Sequence, residues 1–345
     1  MICDKKYQEK CIEEVVSLCK MPSPTGFTHK VSTYLMQRIK ELGFQPIQSV
    51  KGSVIACLGG EGNPLVLAAH IDTLGAMVRA IKPSGAIRFN KIGGYPENNI
   101  ENETCLVHTR SGKEYGGTFY LTSPSVHVYD NVGTTVRNDS NVELILDEVV
   151  KSKEDVEKLG IKVGDFISIN PRTVYTTSGF IKSRHLDDKA SAGALLSLAE
   201  WVKTENVKLN RKVYIVFTTY EEVGHGGAAG IPQDTVEMIS VDMGALGDDL
   251  SCDEFKVSIC AKDSGGPYDY EVTSKLIEIA EKNNIPHAID IYPRYGSDVE
   301  ATLHAGYDIK HGLIGPGVFA SHGYERTHAD ALYATLQLLS EYISC

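Results

Sequence analysis

An unbroken apolar segment at residues 65–69 constrains the fold of this chain more than any other feature. The segment lacks the alternation of a half-exposed strand and ends in His70, Ile71 and Asp72. A short apolar run of this kind is typical of a strand buried on both faces of a parallel sheet. Similar short runs occupy residues 54–58, 213–218 and 238–241. The sequence therefore predicts an α/β protein whose sheet is flanked by helices.

The sequence pattern between residues 74 and 178 is different. Short strand-like segments alternate there with Gly, Pro and Asn clusters, and no long helical pattern occurs. Strand and helix patterns alternate regularly again from about residue 180. We predict that residues 1–73 and 179–345 form one α/β domain with a mixed, mostly parallel sheet, and that residues 74–178 form a β-rich insert. An insert of this kind leaves the main domain continuous because its two ends can lie close together.

Composition excludes several classes of protein. The chain has 34 Lys and Arg against 45 Asp and Glu, a net charge of −11, which argues against nucleic acid as a partner. Its eight cysteines include no C-x-x-C pair, so we expect reduced thiols rather than a structural zinc cluster. No uncharged apolar run reaches the length of a membrane span, and the first ten residues carry five charges. We therefore expect a cytoplasmic protein with no membrane partner.

Potential metal ligands stand where the predicted strands end or where a helix begins. The set is His70, Asp72, Asp187, Asp188, Glu221, Glu222 and Asp242. Ligands of open parallel sheets bind at the carboxyl ends of the strands, so these side chains should converge. Several carboxylates in one cleft repel each other unless cations are bound. Mixed imidazole and carboxylate ligands suit zinc, cobalt or manganese, and the set therefore predicts a metal site.

Each of these features also has a simpler interpretation. Asp187 and Asp188 could cap the following helix, and Glu221 and Glu222 could lie in a solvated turn. Residues 224–229 fit a loose dinucleotide-binding pattern, but the two preceding glutamates would oppose a pyrophosphate. The joint position of all the groups at one sheet edge favours the metal site.

Five sequence blocks, in one order along nearly the whole chain, resemble the tetrahedral (TET) aminopeptidase family. These co-catalytic di-metal peptidases are also known as glutamyl aminopeptidases and formerly as endoglucanases or cellulases. The matching blocks are Ser-Pro-Thr-Gly at 23–26, Ala-His-Ile-Asp at 69–72, Leu-Asp-Asp-Lys at 186–189, Glu-Glu-Val-Gly at 221–224 and Val-Asp at 241–242. The resemblance implies a phosphorylase/hydrolase-like zinc peptidase domain with an inserted β-barrel.

The resemblance also implies a ligand set for two divalent ions per subunit, zinc or cobalt with manganese as a further option. His70 and Asp242 would bind one ion, Asp187 would bridge both, and Glu222 and a late histidine would bind the other. We assign the late histidine to His322, which precedes the last predicted helix by a short loop. His328, at the start of that helix, remains the alternative.

The implied reaction is removal of N-terminal residues from short peptides. Glu221 would be the general base for a water that bridges the ions, and Asp72 would orient His70. Asp298, in the sequence Tyr-Gly-Ser-Asp, fits a helix N-cap better than a polar contact to the substrate's amino group. The family's insert mediates assembly, so the resemblance also implies a homo-oligomer of twelve subunits.

Two other functions are compatible with the same sequence. A related di-metal amidohydrolase, such as a deacylase or a carboxypeptidase-like enzyme, would use a similar ligand set. A non-catalytic assembly protein could keep the same fold. Residues 225–226, His-Gly, depart from the larger pair usual in the family after Glu-Glu-Val-Gly, which leaves the preferred N-terminal residue undefined.

Overall fold

The computed structural model describes residues 3–344, which divide into two compact units. One unit comprises the chain up to Asp72 and from Arg172 onward, and the other comprises Thr73–Pro171. The sequence pattern places the end of the insert at residue 178, whereas the second unit ends at Pro171. The reason is that strand Val174–Tyr175 pairs with Phe180–Ser183 in the first unit.

Seven helices and eighteen strands lie within residues 3–344. In chain order, the helices are α1 (Lys6–Cys19), α2 (His29–Glu41), α3 (Lys153–Leu159), α4 (Leu186–Thr204), α5 (Tyr270–Lys282), α6 (Asp298–His304) and α7 (Ala329–Ser344). The strands are β1 (Ile47–Gln48), β2 (Val54–Gly59), β3 (Leu65–His70), β4 (Gly75–Ile81), β5 (Ile87–Ile92), β6 (Thr104–His108), β7 (Glu114–Leu121), β8 (Val142–Leu146), β9 (Phe166–Ile169), β10 (Val174–Tyr175), β11 (Phe180–Ser183), β12 (Val213–Thr218), β13 (Glu237–Val241), β14 (Gly244–Ala245), β15 (Val257–Lys262), β16 (His287–Ile291), β17 (Lys310–Val318) and β18 (Glu325–His328). Short 3₁₀ turns occupy Glu97–Asn99 and Glu221–Val223.

The main sheet of the first unit is mixed and mostly parallel, as predicted. Its strand order is β1-β2-β12-β3-β13-β17-β15-β16, and β14 pairs with β17. The central strands β12, β3, β13 and β17 run parallel to one another, whereas β2 and β15 pair antiparallel with them. The carboxyl ends of the central strands therefore meet at one edge of the sheet.

Strand β3 is buried over its whole length, which explains its unbroken apolar sequence. Leu65, Leu67 and Ala69 belong to one hydrophobic cluster, and Val66 and Ala68 belong to another. Because successive side chains of a strand point to opposite faces, both faces of the sheet are covered. Helix α4, which follows the expected helical pattern, is buried along nearly all of its length. No helix within residues 3–344 is long and apolar enough to cross a membrane.

The second unit is a closed antiparallel barrel, which confirms the predicted β-rich insert. Its strands follow the order β4-β5-β8-β7-β6-β9. The interior contains the rings of Phe89 and Phe119, whose centroids lie 4.9 Å apart in an edge-to-face arrangement. The short helix α3 begins after Ser152, whose hydroxyl accepts a hydrogen bond from the backbone of Asp155, and ends at Gly160 in the left-handed conformation.

Candidate metal centre

The predicted site residues of the first unit lie at the carboxyl edge of the sheet. Strand β3 ends at His70, and strand β13 is followed at once by Asp242. The turn Glu221–Val223 follows β12. Asp187 lies at the start of α4, where its backbone is not yet helical. The sheet topology thus brings together residues that are far apart in sequence.

His70 is buried and fixed at both ring nitrogens. Its Nδ1 lies 2.9 Å from the backbone oxygen of Asp72, and its Nε2 lies 3.0 Å from Oδ1 of Asp187. A carbonyl oxygen only accepts hydrogen bonds, so Nδ1 must carry a proton. In the neutral imidazole, Nε2 then has the lone pair that a cation requires. Oε2 of Glu221 lies 3.8 Å from the same Nε2.

The carboxylate of Asp187 lies between two imidazoles. Oδ1 contacts His70, and Oδ2 lies 3.4 Å from Nε2 of His322 and accepts a hydrogen bond from Ser321 at 3.1 Å. Nε2 of His322 also lies 3.7 Å from Oε2 of Glu222. The Asp187 carboxylate therefore has an imidazole on each side and one oxygen facing each of them.

Two groups of side chains bring their potential ligand atoms within 4.8 Å of one another. One comprises His70, Asp187 and Glu222, and the other comprises His70, Asp188 and Asp242. Asp188 belongs to the predicted set of potential ligands, although the family resemblance implies no role for it. Oδ2 of Asp188 accepts a hydrogen bond from the backbone N–H of His70 at 3.2 Å. This bond holds the backbone at the point where strand β3 ends.

The electrostatics of this cluster favour a bound cation. Burial, followed by repulsion from Asp187, raises the pKa of Asp242 to about 7 and that of Glu222 to about 8. Burial also raises the pKa of Glu221. Oε1 of Glu222 is buried and has no hydrogen-bond partner among residues 3–344. A buried carboxylate oxygen without a partner is costly, and a cation would supply the missing contact. The residues present therefore fit a divalent metal ion.

The carboxylate of Asp72 contacts the turn that carries the two glutamates. Its oxygens accept hydrogen bonds from the backbone N–H groups of Glu221 at 3.1 Å and Glu222 at 3.3 Å, and from the Thr25 hydroxyl at 2.6 Å. Its Oδ1 lies 3.6 Å from Nδ1 of His70, whereas its backbone oxygen is nearer to that nitrogen. Asp72 thus restrains the His70 ring through its main chain and the glutamate turn through its side chain.

The two candidate histidines near the end of the chain lie in different environments. Nε2 of His322 faces the carboxylates of Asp187 and Glu222. Nε2 of His328 lies 2.9 Å from the backbone oxygen of Ser178, and its ring packs against Phe180 and Phe255. The structure thus brings His322, rather than His328, to the cluster.

Sequence reasoning missed the role of Glu325. Its buried carboxylate accepts the backbone N–H of His322 at 3.0 Å through Oε1 and that of Asp187 at 3.1 Å through Oε2. Burial and the charge of Asp187 raise the pKa of Glu325 to about 8. The only signal in the sequence is its position three residues after His322, which is too common to be informative.

The expected N-cap role of Asp298 is wrong. Ser297 occupies the N-cap position of α6, and Asp298 is the first helical residue. The carboxylate of Asp298 is buried and accepts hydrogen bonds from the backbone N–H of Gly227 at 2.6 Å and from the Thr218 hydroxyl. Since both oxygens have partners within the protein, these contacts do not support a direct role in binding substrate.

The fold and the site together define an α/β metallopeptidase with a barrel insert. The chain belongs to the M42 glutamyl aminopeptidase family, whose model matches residues 52–338, and the predicted resemblance is thereby confirmed. It is 47% identical over 336 residues to the "Putative aminopeptidase YhfE" of Bacillus subtilis (strain 168), with 97% of each chain covered. Family membership supports aminopeptidase activity and dependence on a metal.

Two solved structures have the same fold. The aminopeptidase APDkam598 from the archaeon Desulfurococcus kamchatkensis superposes with a TM-score of 0.85 at 24% identity, covering 98% of this chain and 95% of that one. The TET1 peptidase of Pyrococcus horikoshii, which can assemble into a tetrahedron or a large octahedral shell, superposes with a TM-score of 0.85 at 22% identity. That comparison covers 96% of this chain and 99% of that one.

Proposed function

We propose that this protein is a di-metal aminopeptidase that removes N-terminal residues from short peptides. The observation that carries the proposal is the position of Asp187 between His70 and His322, in a cluster where the buried Oε1 of Glu222 lacks a hydrogen-bond partner within residues 3–344. Family membership supports the same reaction class. The proposed ions are zinc or cobalt, with manganese as a further option, because the donor set is imidazole and carboxylate.

The proposed ligand set is the one that the family resemblance implies. His70 and Asp242 would hold one ion, Glu222 and His322 the other, and Asp187 both. The approach of Asp187 to His70 and His322, and of His322 to Glu222, supports this set. When bound, two such ions polarise the scissile carbonyl and lower the pKa of the attacking water. Asp72 keeps the proton of His70 on Nδ1, so that Nε2 remains directed at the site.

Glu221 is the proposed general base. Its side chain approaches Nε2 of His70 and is mostly buried, with an exposed fraction of 17%. Burial raises its pKa, so its carboxylate holds a proton more readily than an exposed glutamate does. Glu221 would accept the proton of the attacking water and donate it to the leaving amine. The backbone N–H of Glu221 donates a hydrogen bond to the Asp72 carboxylate, and this bond keeps the Glu221 side chain at the site.

A pair of matched peptides tests the proposal. One peptide has a free α-amino group, and the other is the same sequence with an acetylated N-terminus. We expect the purified protein, loaded with zinc or cobalt, to cleave the free peptide from its N-terminus and to leave the acetylated peptide intact. Chelation should abolish cleavage, and added metal should restore it. Cleavage of the acetylated peptide alone would instead indicate a deacylase, and C-terminal trimming a carboxypeptidase-like enzyme.

We also propose that the protein assembles into a homo-oligomer of twelve subunits. The TET1 neighbour supports assembly, since it forms closed shells from chains with this fold. In the barrel unit, Val126, Val128 and Val136 are all at least two-thirds exposed and lie within residues 126–136, so a subunit interface there would bury three apolar side chains. Light scattering should give about twelve times the mass of one chain, and a monomer at micromolar concentration would reject the proposal. Replacing all three valines by Ser should weaken assembly if this surface is part of the interface.

A further inference from the structure

Asp298 joins the two ends of the segment that carries Glu221 and Glu222. The Thr218 hydroxyl, at the end of β12, donates a hydrogen bond to Oδ2 of Asp298. The Gly227 backbone N–H, beyond the glutamate turn, donates to Oδ1 at 2.6 Å. A single carboxylate therefore closes the segment into a loop whose ends cannot separate without breaking one of these bonds.

The approach of the loop to Asp298 is close. A side chain on Gly226 would clash with the Asp298 carboxylate, and one on Gly227 would clash with the Asp298 backbone. The Thr302 hydroxyl, one turn later in α6, donates to the Gly227 carbonyl at 2.8 Å. The two glycines are thus required for the contact, and α6 binds the loop at more than one atom.

The charge of Asp298 also suits this contact. Burial raises the pKa of Asp298 to about 6, while the bond from Thr218 opposes the rise. In its ionised form, this carboxylate accepts hydrogen bonds that are roughly twice as strong as bonds between neutral groups. Lys51 also holds the loop, since its ammonium donates a hydrogen bond to the backbone oxygen of His225.

We propose that Asp298 is a positioning residue, which holds Glu221 and Glu222 at the metal site by clamping their loop between Thr218 and Gly227. The proposal rests on the proposed function, since it concerns the same two glutamates. It assigns to Asp298 no contact with substrate or metal. Asp72 holds the backbone at the centre of the loop, and Asp298 holds the ends.

Three variants test the proposal against one control. Asp298→Ala removes both contacts, Asp298→Asn keeps the shape and one acceptor, and Thr218→Val removes the hydroxyl alone. The control is Asp290→Ala, because Asp290 is also a buried carboxylate that accepts two backbone N–H groups, those of Ser251 and Cys252, in the same unit. The readouts are amide hydrogen exchange, binding of zinc to the chelator-stripped protein, and steady-state kinetics.

We expect Asp298→Ala to accelerate hydrogen exchange in residues 219–228, to weaken one zinc site by ~10–100-fold, and to lower kcat by a similar factor. KM should change less than about twofold, because Asp298 makes no contact that holds the substrate in the ground state. Asp298→Asn should recover part of each effect, and Thr218→Val should give a smaller loss of the same kind. Asp290→Ala should leave the exchange of this segment, the zinc affinity and kcat unchanged.

The inference is wrong if Asp298→Ala folds and matches Asp290→Ala in all three readouts. If Asp298→Ala does not fold, Asp298→Asn and Thr218→Val decide the question by the same criteria. The proposed function fails separately if the wild-type protein with zinc cleaves no peptide. In that case, amide hydrogen exchange and zinc binding still test whether Asp298 positions the two glutamates.

Discussion

Glu221 and Glu222 are neighbours with the same side chain, yet the structure gives them different contacts. Glu222 approaches His322 and has an oxygen without a partner among residues 3–344, whereas Glu221 approaches His70. Glu221→Gln should keep both metals, because the amide preserves the shape and Asp72 still binds the backbone N–H. The amide cannot accept a proton, so kcat should fall by ~10²–10⁴, the range for loss of a general base.

That factor corresponds to about 2.7–5.4 kcal/mol in the activation barrier. KM should stay nearly constant, since the lost interaction acts in the transition state. Metal analysis and steady-state kinetics on a free-amino peptide measure both quantities. The matched control is Glu222→Gln, which should lose one metal as well as activity. If Glu221→Gln loses a metal and Glu222→Gln keeps both, the two roles are exchanged. If both variants retain full activity, the assignment of this site is refuted.

Three further predictions address other parts of the first unit. In calorimetric titration, His322→Ala should bind zinc at one site with an affinity at least ~10-fold lower than that of the wild type. His328→Ala should bind zinc as the wild type does, and the opposite result would move the ligand role to His328. Glu325→Gln can accept only one of its two backbone N–H groups, so zinc affinity should fall by ~10-fold or more, and an unchanged affinity would remove it from the site. Burial and a hydrogen bond to Asp263 raise the pKa of Glu300 to about 8, from 4.5. The folded protein therefore holds the Glu300 proton more tightly than the unfolded chain does. The free energy of unfolding should fall as the pH rises from about 4.5 to about 8. Thermal unfolding of Glu300→Gln should therefore depend less on pH in this range than the wild type does, and parallel curves would contradict this.

The elements that can be predicted from the sequence are those whose burial is uniform along the chain. Strand β3 is one of them, because both of its faces are covered and an apolar residue is required at every position. Strand β17, equally central, has no strand-like sequence pattern because it contains three glycines and a proline. In the structure, a side chain on Gly315 would clash with the Asp242 backbone, and one on Gly317 with that of Asp253. Glycine there reflects close approach between segments of the chain, which a single sequence does not reveal.

Some residues of the candidate site can be predicted from the sequence and others cannot. Residues that follow strands directly, such as His70 and Asp242, could be found because strand ends are visible in the sequence. The contacts of Glu325 and Asp298 could not be predicted, because they are to backbone groups contributed by distant segments. Asp298 resembles a helix cap in the sequence because it stands next to the start of α6. The structure gives the cap position to Ser297 and turns Asp298 toward the glutamate loop.

The number of metal ions bound by the wild type and by Asp187→Ala tests the central claim most directly. Asp187 is the residue that contacts both histidines of the site, so its removal should affect both ions. Native mass spectrometry after chelation and reloading with zinc should show two ions per wild-type chain and none held stably by Asp187→Ala. Thermal unfolding of the two stripped proteins serves as the control for folding. A wild-type chain that binds no metal, or an Asp187→Ala chain that keeps both ions, would contradict the account.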